Sequence, residues 1–206
     1  MDPRFTANKN AQSYFKRYGK SKTAIKEKKI QLQENQGSID YLESVLTYLN
    51  NTDSIREIEE LRTELEETGY VRRRKQSARN KNKKFKAQPR QYDTSDGFHV
   101  LVGKNNKEND LHTATKTDYW FHTKDIPGSH VIVQTEGRRI TETAIFEGAA
   151  LAAFHSKARD SENVPVDYVP VKYVKKPAGA KPGMVIFTNN KTVWVNPAEP
   201  EAPSDH

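Results

Sequence analysis

The sequence predicts an α+β chain: an N-terminal antiparallel helical hairpin of coiled-coil character, followed by a small mixed antiparallel-sheet domain carrying two helices. Three observations carry this. Apolar residues recur every seven positions through the first fifty residues, an acid-free basic stretch then interrupts the chain, and beyond it short β-branched and aromatic runs alternate with Gly, Pro and Asn turn clusters. The boundaries read as 1–69 for the helical hairpin, 70–90 for a basic flexible linker, 91–197 for the sheet domain and 198–206 for a disordered tail.

The heptad runs through Ala11, Tyr18, Ile25, Leu32, Ile39 and Leu46, with Tyr14, Leu42 and Leu49 in the companion positions at its ends and Ser21, Lys28 and Asn35 in its middle. Sustained sevenfold spacing argues for a coiled coil. Its polar centre makes the coil weak, or meets another partner, and leaves self-association open. Asn50-Asn51-Thr52-Asp53 breaks the pattern. Ser54 followed by Glu57 is a capping box that starts a second helix with Ile55, Ile58, Leu61 and Leu65, and Gly69 ends it. Seven acids between Asp53 and Glu67 stand against nine Lys/Arg in the first 35 residues, which fits an antiparallel hairpin turning either near Gly37 or at Asn51; a solvated helix surface is the plainer reading of the same charges.

With 34% hydrophobic and 30% charged residues, the 206-residue chain is too polar for one core along its whole length. No apolar run approaches the roughly 18 residues of a membrane span, and no secretory signal opens the chain. The absence of cysteine excludes a disulfide scaffold and fits either a reducing compartment, which reads as cytoplasmic, or a lineage that avoids cysteine. The net charge of +7 is local, since the window from Val71 to Arg90 holds ten Lys/Arg and no acid. Arg72, Arg73, Arg74, Lys75, Lys81, Lys83 and Lys84 are therefore candidates for salt-sensitive contact with a polyanion, nucleic acid first, with a merely solvated linker as the alternative.

In the sheet domain, Ser95-Asp96-Gly97 is a hairpin turn followed by the strand FHVLV. Gly103 opens a polar stretch that can begin a helix, where amides beside Lys104, Asn105 and Asn106 suit an anion or phosphate, or form a plain strand-to-helix turn. The run from Asp118 to Gln134 reads as two strands around Pro127-Gly128. Antiparallel pairing sets Trp120 against Ile132, Tyr119 against Val133 and His122 opposite His130. Alternation then gathers Trp120, His122, His130 and Ile132 on one face, beside a loop with Lys124 and Asp125. Structural hydrogen bonding, a metal and polar recognition are the three readings of the two histidines; a metal lacks further ligands at suitable spacing. Thr141 to Arg159 is a helix whose small residues allow close packing on a sheet, and Val164 to Val174 is a strand. Lys175 to Gly183 is a Pro/Gly loop holding Lys175, Lys176 and Lys181, and Met184–Phe187 with Thr192–Val195 form a last hairpin around Asn189-Asn190. No nucleophile, phosphate-loop or cofactor motif stands out, so no enzyme activity, cofactor or metal is expected.

Three blocks carry a resemblance to a known family: NAQSYFKRYGK with IDYLESVL; DGFHVLVGKNNKEND; and DYWFHTKDIPGSHVIVQ followed by EGAALAAFHSKA and VKKPAGAKPGMVIF. In this order they resemble the C-terminal half of the bacterial NFACT proteins, the RqcH-like ribosome quality-control factors, also labelled fibronectin-binding protein A. The family pattern G-[RK]-N-x-x-Q-N-D is met at Gly103, Lys104, Asn105, Asn109 and Asp110 and departs at Glu108. The resemblance implies a coiled coil and an NFACT-R domain that bind an obstructed large ribosomal subunit and tRNA to support C-terminal alanine tailing of the stalled chain. RNA contacts are then expected from Lys104, Asn105, Asn106, Trp120, His122, Lys124, His130, Lys175, Lys176 and Lys181, the cations meeting phosphates and the rings meeting exposed nucleotides. The alternative that the family label implies is an adhesin for fibronectin or another matrix protein, displayed at the cell surface without a signal peptide.

Overall fold

The computed structural model describes residues 2–52, 54–73, 89–109 and 114–199, so Arg74, Lys75, Lys81, Lys83 and Lys84 of the linker lie outside the described residues. The chain divides into two compact units, Met1–Asp40 and Tyr41–His206.

The first unit is mostly helix. Helix α1 (Ala7–Asn50) has no proline and is rich in Lys, Gln, Glu and Ala, which lose little freedom in a helix. It runs unbroken through Gly37. At its start the Thr6 hydroxyl accepts the Lys9 N–H, and the Asn10 amide donates to the carbonyls of Asp2 and Phe5. Tyr18, Ile25, Leu32 and Ile39 of the heptad are exposed.

The second unit begins with the last turns of α1. The chain reverses at Asn51, and helix α2 (Ile55–Glu67) starts with the Ser54 hydroxyl accepting the Arg56 N–H at 3.2 Å. Glu57, the expected second half of the capping box, instead holds Arg90 at 3.1 Å and Lys104 at 3.5 Å. The acids of α2 thus reach cations of the sheet domain, Lys107 with Glu67 included. Gly69 ends the helix in a left-handed conformation, φ +84°. In α1 the buried stripe is Tyr41, Val45 and Tyr48, whereas Leu42, Leu46 and Leu49 of the heptad are exposed. The tyrosines win the inside because each buries a ring and still finds a partner for its hydroxyl: Tyr41 donates to Glu64 at 2.7 Å and Tyr48 to the Gly128 carbonyl at 3.1 Å.

Among the described residues eight strands, one α-helix and a 3-10 turn (Val171–Tyr173) follow: β1 (Arg90–Asp93), β2 (His99–Val102), β3 (Tyr119–Thr123), β4 (Val131–Gln134), α3 (Glu142–Phe154), β5 (Val164–Pro170), β6 (Val174–Lys175), β7 (Ile186–Phe187) and β8 (Lys191–Val195). Six of the strands make one antiparallel sheet in the order β1-β2-β4-β3-β5-β8. Its inner face buries Val100, Val102, Phe121, Val131, Val133 and Val166 against Ala149, Ala152 and Ala153 of α3. Gly148 permits that approach, since a Cβ there would sit 2.9 Å from Val133 Cγ2.

Three elements differ from the sequence reading, the first being the strand expected over Val164 to Val174, which ends at Pro170 and passes through a 3-10 turn at Val171–Tyr173 before β6. Residues 104–109 are successive turns rather than the start of a helix. The last two runs do not pair with each other: β7 pairs with β6, and after Asn189 (φ +60°) the chain moves on so that β8 pairs with β5. The β6–β7 ribbon thereby comes to cover the second face of the sheet, where Val174 and Phe187 pack on Trp120, Ile132 and Val169.

Loop 103–109 fastens the helix pair to the sheet. The Asn109 amide donates to the Tyr48 hydroxyl, its Oδ1 accepts the His130 N–H at 3.2 Å, and its carbonyl meets His130 Nδ1 at 3.0 Å. Asn106 donates to Glu64 at 3.1 Å and accepts from Ser44 at 3.0 Å. A Cβ on Gly103 would lie 2.1 Å from Asn109 Oδ1, so only glycine lets the loop close this tightly. Truncating Asn109 to Ala leaves the buried His130 backbone N–H and the buried Tyr48 hydroxyl without their side-chain partner, and we expect a loss of about 2–4 kcal/mol in urea unfolding. His99→Ala, which removes only an exposed pair with Asp93, should change stability by under about 0.5 kcal/mol.

Candidate nucleic-acid interface

The β3–β4 pairing has the predicted register: Tyr119 opposite Val133, Trp120 opposite Ile132, Phe121 opposite Val131. The two imidazoles meet at the open end, ring centres 5.3 Å apart and perpendicular. The predicted ring face is nevertheless not a nucleotide platform. Trp120 is 1% exposed and His130 5%. His122 stacks on the indole at 5.7 Å, His130 meets it edge-on at 5.1 Å and Phe187 closes it at 4.8 Å. Sheets of this width need cover on both faces when both are apolar, and the β6–β7 ribbon supplies it. Trp120 and His130 are therefore core residues, and only the half-buried His122 reaches toward the surface.

Electrostatics agree with this placement. Burial pushes the His130 imidazole down to about 3, with His122 nearby adding to the effect and the Asn109 backbone opposing it. His122 is lowered by burial against the opposing pull of the Thr123 and Gly128 backbone and the Asp167 carboxylate. His155, beyond the end of α3, is held down to about 3 by burial and then by Arg90 and Arg159. It is neutral by a readable chain of donors: Arg90 contacts Nδ1 at 3.4 Å, Nε2 faces the Tyr92 hydroxyl at 3.0 Å, and Tyr92 donates to Glu199 at 2.9 Å. Among the described residues no three His, Asp or Glu side chains are grouped to hold a metal ion.

The remaining predicted contacts separate into two groups. Asn105 and Asn106 are buried, at 7% and 4%, and serve the loop: Asn105 accepts the Glu108 N–H and Asn106 joins Glu64 to Ser44. Lys104 is engaged with Glu57. Lys181 lies over the stacked rings of Tyr41 and Tyr70, 5.2 and 5.0 Å from their centres, a cation–π position that fastens the loop to the helix pair. Arg72, Arg73, Lys124, Lys175 and Lys176 are exposed. The sequence reading passed over one residue, Trp194, which is 58% exposed on β8 at the edge of the sheet. Strand alternation contains the signal: Val193 and Val195 turn toward α3, so Trp194 must turn away.

Residues 1–84 match the NFACT N-terminal and middle domains, and residues 88–189 match the NFACT protein RNA binding domain. The chain belongs to the NFACT family. It is 40% identical over 200 residues to the Rqc2 homolog RqcH of Bacillus subtilis (strain 168), covering 96% of this chain and 35% of that protein. To the Rqc2 homolog RqcH of Streptococcus suis (strain 05ZYH33) it is 44% identical over 203 residues, 97% of this chain and 36% of the relative. The chain thus spans about a third of the length of these curated relatives. A solved structure, the C-terminal part of the fibronectin/fibrinogen-binding protein from Streptococcus suis, superposes with a TM-score of 0.84 at 43% identity, covering 95% of this chain and 78% of that one.

The buried histidines make stability depend on pH. Above 6.5 neither folded nor unfolded chain protonates them; from 6.5 down toward 3 the unfolded chain takes up protons at His130 and His155 that the fold refuses. Stability should therefore fall with acidification by up to about 1.4 kcal/mol per pH unit per histidine. Urea unfolding at pH 7.5, 6.5 and 5.5 measures this, and His155→Gln should flatten the slope by less than half, because His122 and His130 still contribute.

Proposed function

We propose that this chain is the RNA-gripping part of a ribosome quality-control factor, with no bond-making chemistry of its own. Its partners in this reading are an obstructed large ribosomal subunit and tRNA, held so that alanine is added to the C-terminus of the stalled nascent chain. The observation that carries the reading is the match of residues 88–189 to the NFACT RNA binding domain; its support in the geometry is the set of exposed cations, Arg72, Arg73, Lys124, Lys175 and Lys176. Phosphate contacts from such side chains release counterions and give affinity and orientation without sequence choice.

Co-sedimentation of the chain with large ribosomal subunits across a salt series tests it. Binding should fall linearly on a log–log plot, and Lys175→Glu with Lys176→Glu should flatten the slope by about 1.5, close to two phosphate contacts. Lys181→Glu should instead loosen the Tyr41–Tyr70 stack, lowering stability while leaving the slope unchanged. Binding indifferent to salt, or absent at 50 mM salt (a low-salt limit for phosphate-driven association), overturns the proposal. A second reading, matrix adhesion, is favoured by the name of the similar Streptococcus suis structure. It predicts fibronectin capture that persists at moderate salt, where purely cationic attraction is screened.

A further inference from the structure

The outer face of the sheet is covered only in part. The β6–β7 ribbon closes over Trp120, Ile132 and Val169, and beyond it two rows of residues remain. In the first, His122 stands opposite Asp167, and Asp167 opposite Thr192. Asp167 is 5% exposed and its carboxylate accepts from the Thr192 hydroxyl at 2.5 Å. The second row is set by the Lys124 N–H donating to the Pro165 carbonyl at 2.9 Å and by Pro165 pairing with Trp194. It crosses three neighbouring strand lines: an exposed ammonium, a half-exposed pyrrolidine and an exposed indole. At a strand spacing of about 4.8 Å the ends of the row are about 10 Å apart along the backbone, a span that one nucleotide and a lysine side chain bridge together.

These three groups match the three parts of a nucleotide. An indole stacks on a base, a proline ring packs on a ribose, and a lysine meets a phosphate. Stacking on an indole requires a base whose face is free, which a duplex does not offer. We infer that the Lys124–Pro165–Trp194 row binds one unpaired nucleotide of single-stranded RNA, a reading that rests on the RNA-binding function proposed above. The competing occupant is a peptide strand added to the free edge of β8. Such a strand runs alongside β8, on its outer side, whereas Lys124 lies two strand lines inward; an edge partner would use Trp194 but not Lys124. The row favours a ligand lying across the strands with negative charge at its inner end.

The chain has two tryptophans, one buried and one exposed, so fluorescence separates them. Fluorescence anisotropy with a labelled ten-nucleotide single-stranded RNA and a duplex of equal length tests the proposal in the intact chain. Trp194→Ala should weaken the single strand about tenfold, within the range for loss of one stacked base, and leave the duplex unchanged. Trp194→Phe should recover most of the loss, and Lys124→Ala should reduce the salt slope for the single strand by about 0.7. In the wild type the single strand should quench the long-wavelength, acrylamide-accessible emission and spare the buried component. Circular dichroism of each variant confirms the fold, since all three side chains point away from the core. If Trp194→Ala binds the single strand as the wild type does, the row is wrong while RNA binding by the domain stands. If Trp194→Ala weakens binding but Lys124→Ala leaves both affinity and slope unchanged, the nucleotide assignment is overturned in favour of the edge. If neither RNA binds, the row fails together with the proposed function.

Discussion

A buried amide holds the sheet domain and the helix pair in one geometry. Asn109 is 3% exposed, so each of its polar atoms must find a partner inside the protein. It does so by reaching the Tyr48 hydroxyl on α1 and the His130 backbone at the start of β4. Its neighbour Asn106 repeats the device with Ser44 and Glu64. Apolar packing would hold these elements together in many registers. Hydrogen bonds between buried groups allow far fewer, because any slip leaves a donor or acceptor stranded away from water at a cost of about 1–3 kcal/mol.

That arrangement decides what surface remains. The part of the outer sheet face that holds Trp120, Ile132 and Val169 closes under β6–β7, and the positive side chains nearest the helices are occupied: Lys104 by Glu57, Lys107 by Glu67, Lys181 by two tyrosine rings. The acidity of α2 serves this purpose, tying cations of the sheet domain to the helix pair. Arg72, Arg73, Lys124, Lys175 and Lys176 are cations exposed at the surface of the described residues. A grip made from scattered exposed cations is orientational and salt-sensitive, which suits docking on a large RNA surface more than capture of a small ligand.

Much of the architecture could be read from periodicity. The β3–β4 register, the Ser54 and Gly69 helix limits and the α3 contact through small residues all follow from alternation, capping and side-chain volume. Three features resisted. The heptad points at Leu42, Leu46 and Leu49, yet the inside is taken by Tyr41, Val45 and Tyr48, because hydroxyl partners from distant loops reward the tyrosines and no sequence pattern announces them. The turns at 104–109 look like a phosphate cradle because asparagines are at home in both settings; burial alone tells them apart. Trp120 looked available because a strand pair has two faces and the ribbon covering the second comes from fifty or more residues downstream. Trp194 was the legible omission, needing only the alternation of its own strand.

The two short signatures of the family in the sheet domain, G-[RK]-N-x-x-Q-N-D and W-F-H-x-x-x-x-P-G-S-H, are in this molecule mostly inward-facing. Gly103, Asn109, Trp120, Phe121, Gly128 and His130 are all buried, whereas Lys124 falls in an unspecified slot of the W-F-H-x-x-x-x-P-G-S-H run and Pro165 and Trp194 lie outside it. A motif search will therefore gather chains that share a scaffold and remain blind to what each of them holds. Subdividing such a collection by the residues at 124, 165 and 194 would sort it by ligand instead, and paralogues that look interchangeable by signature could be told apart before any of them is purified.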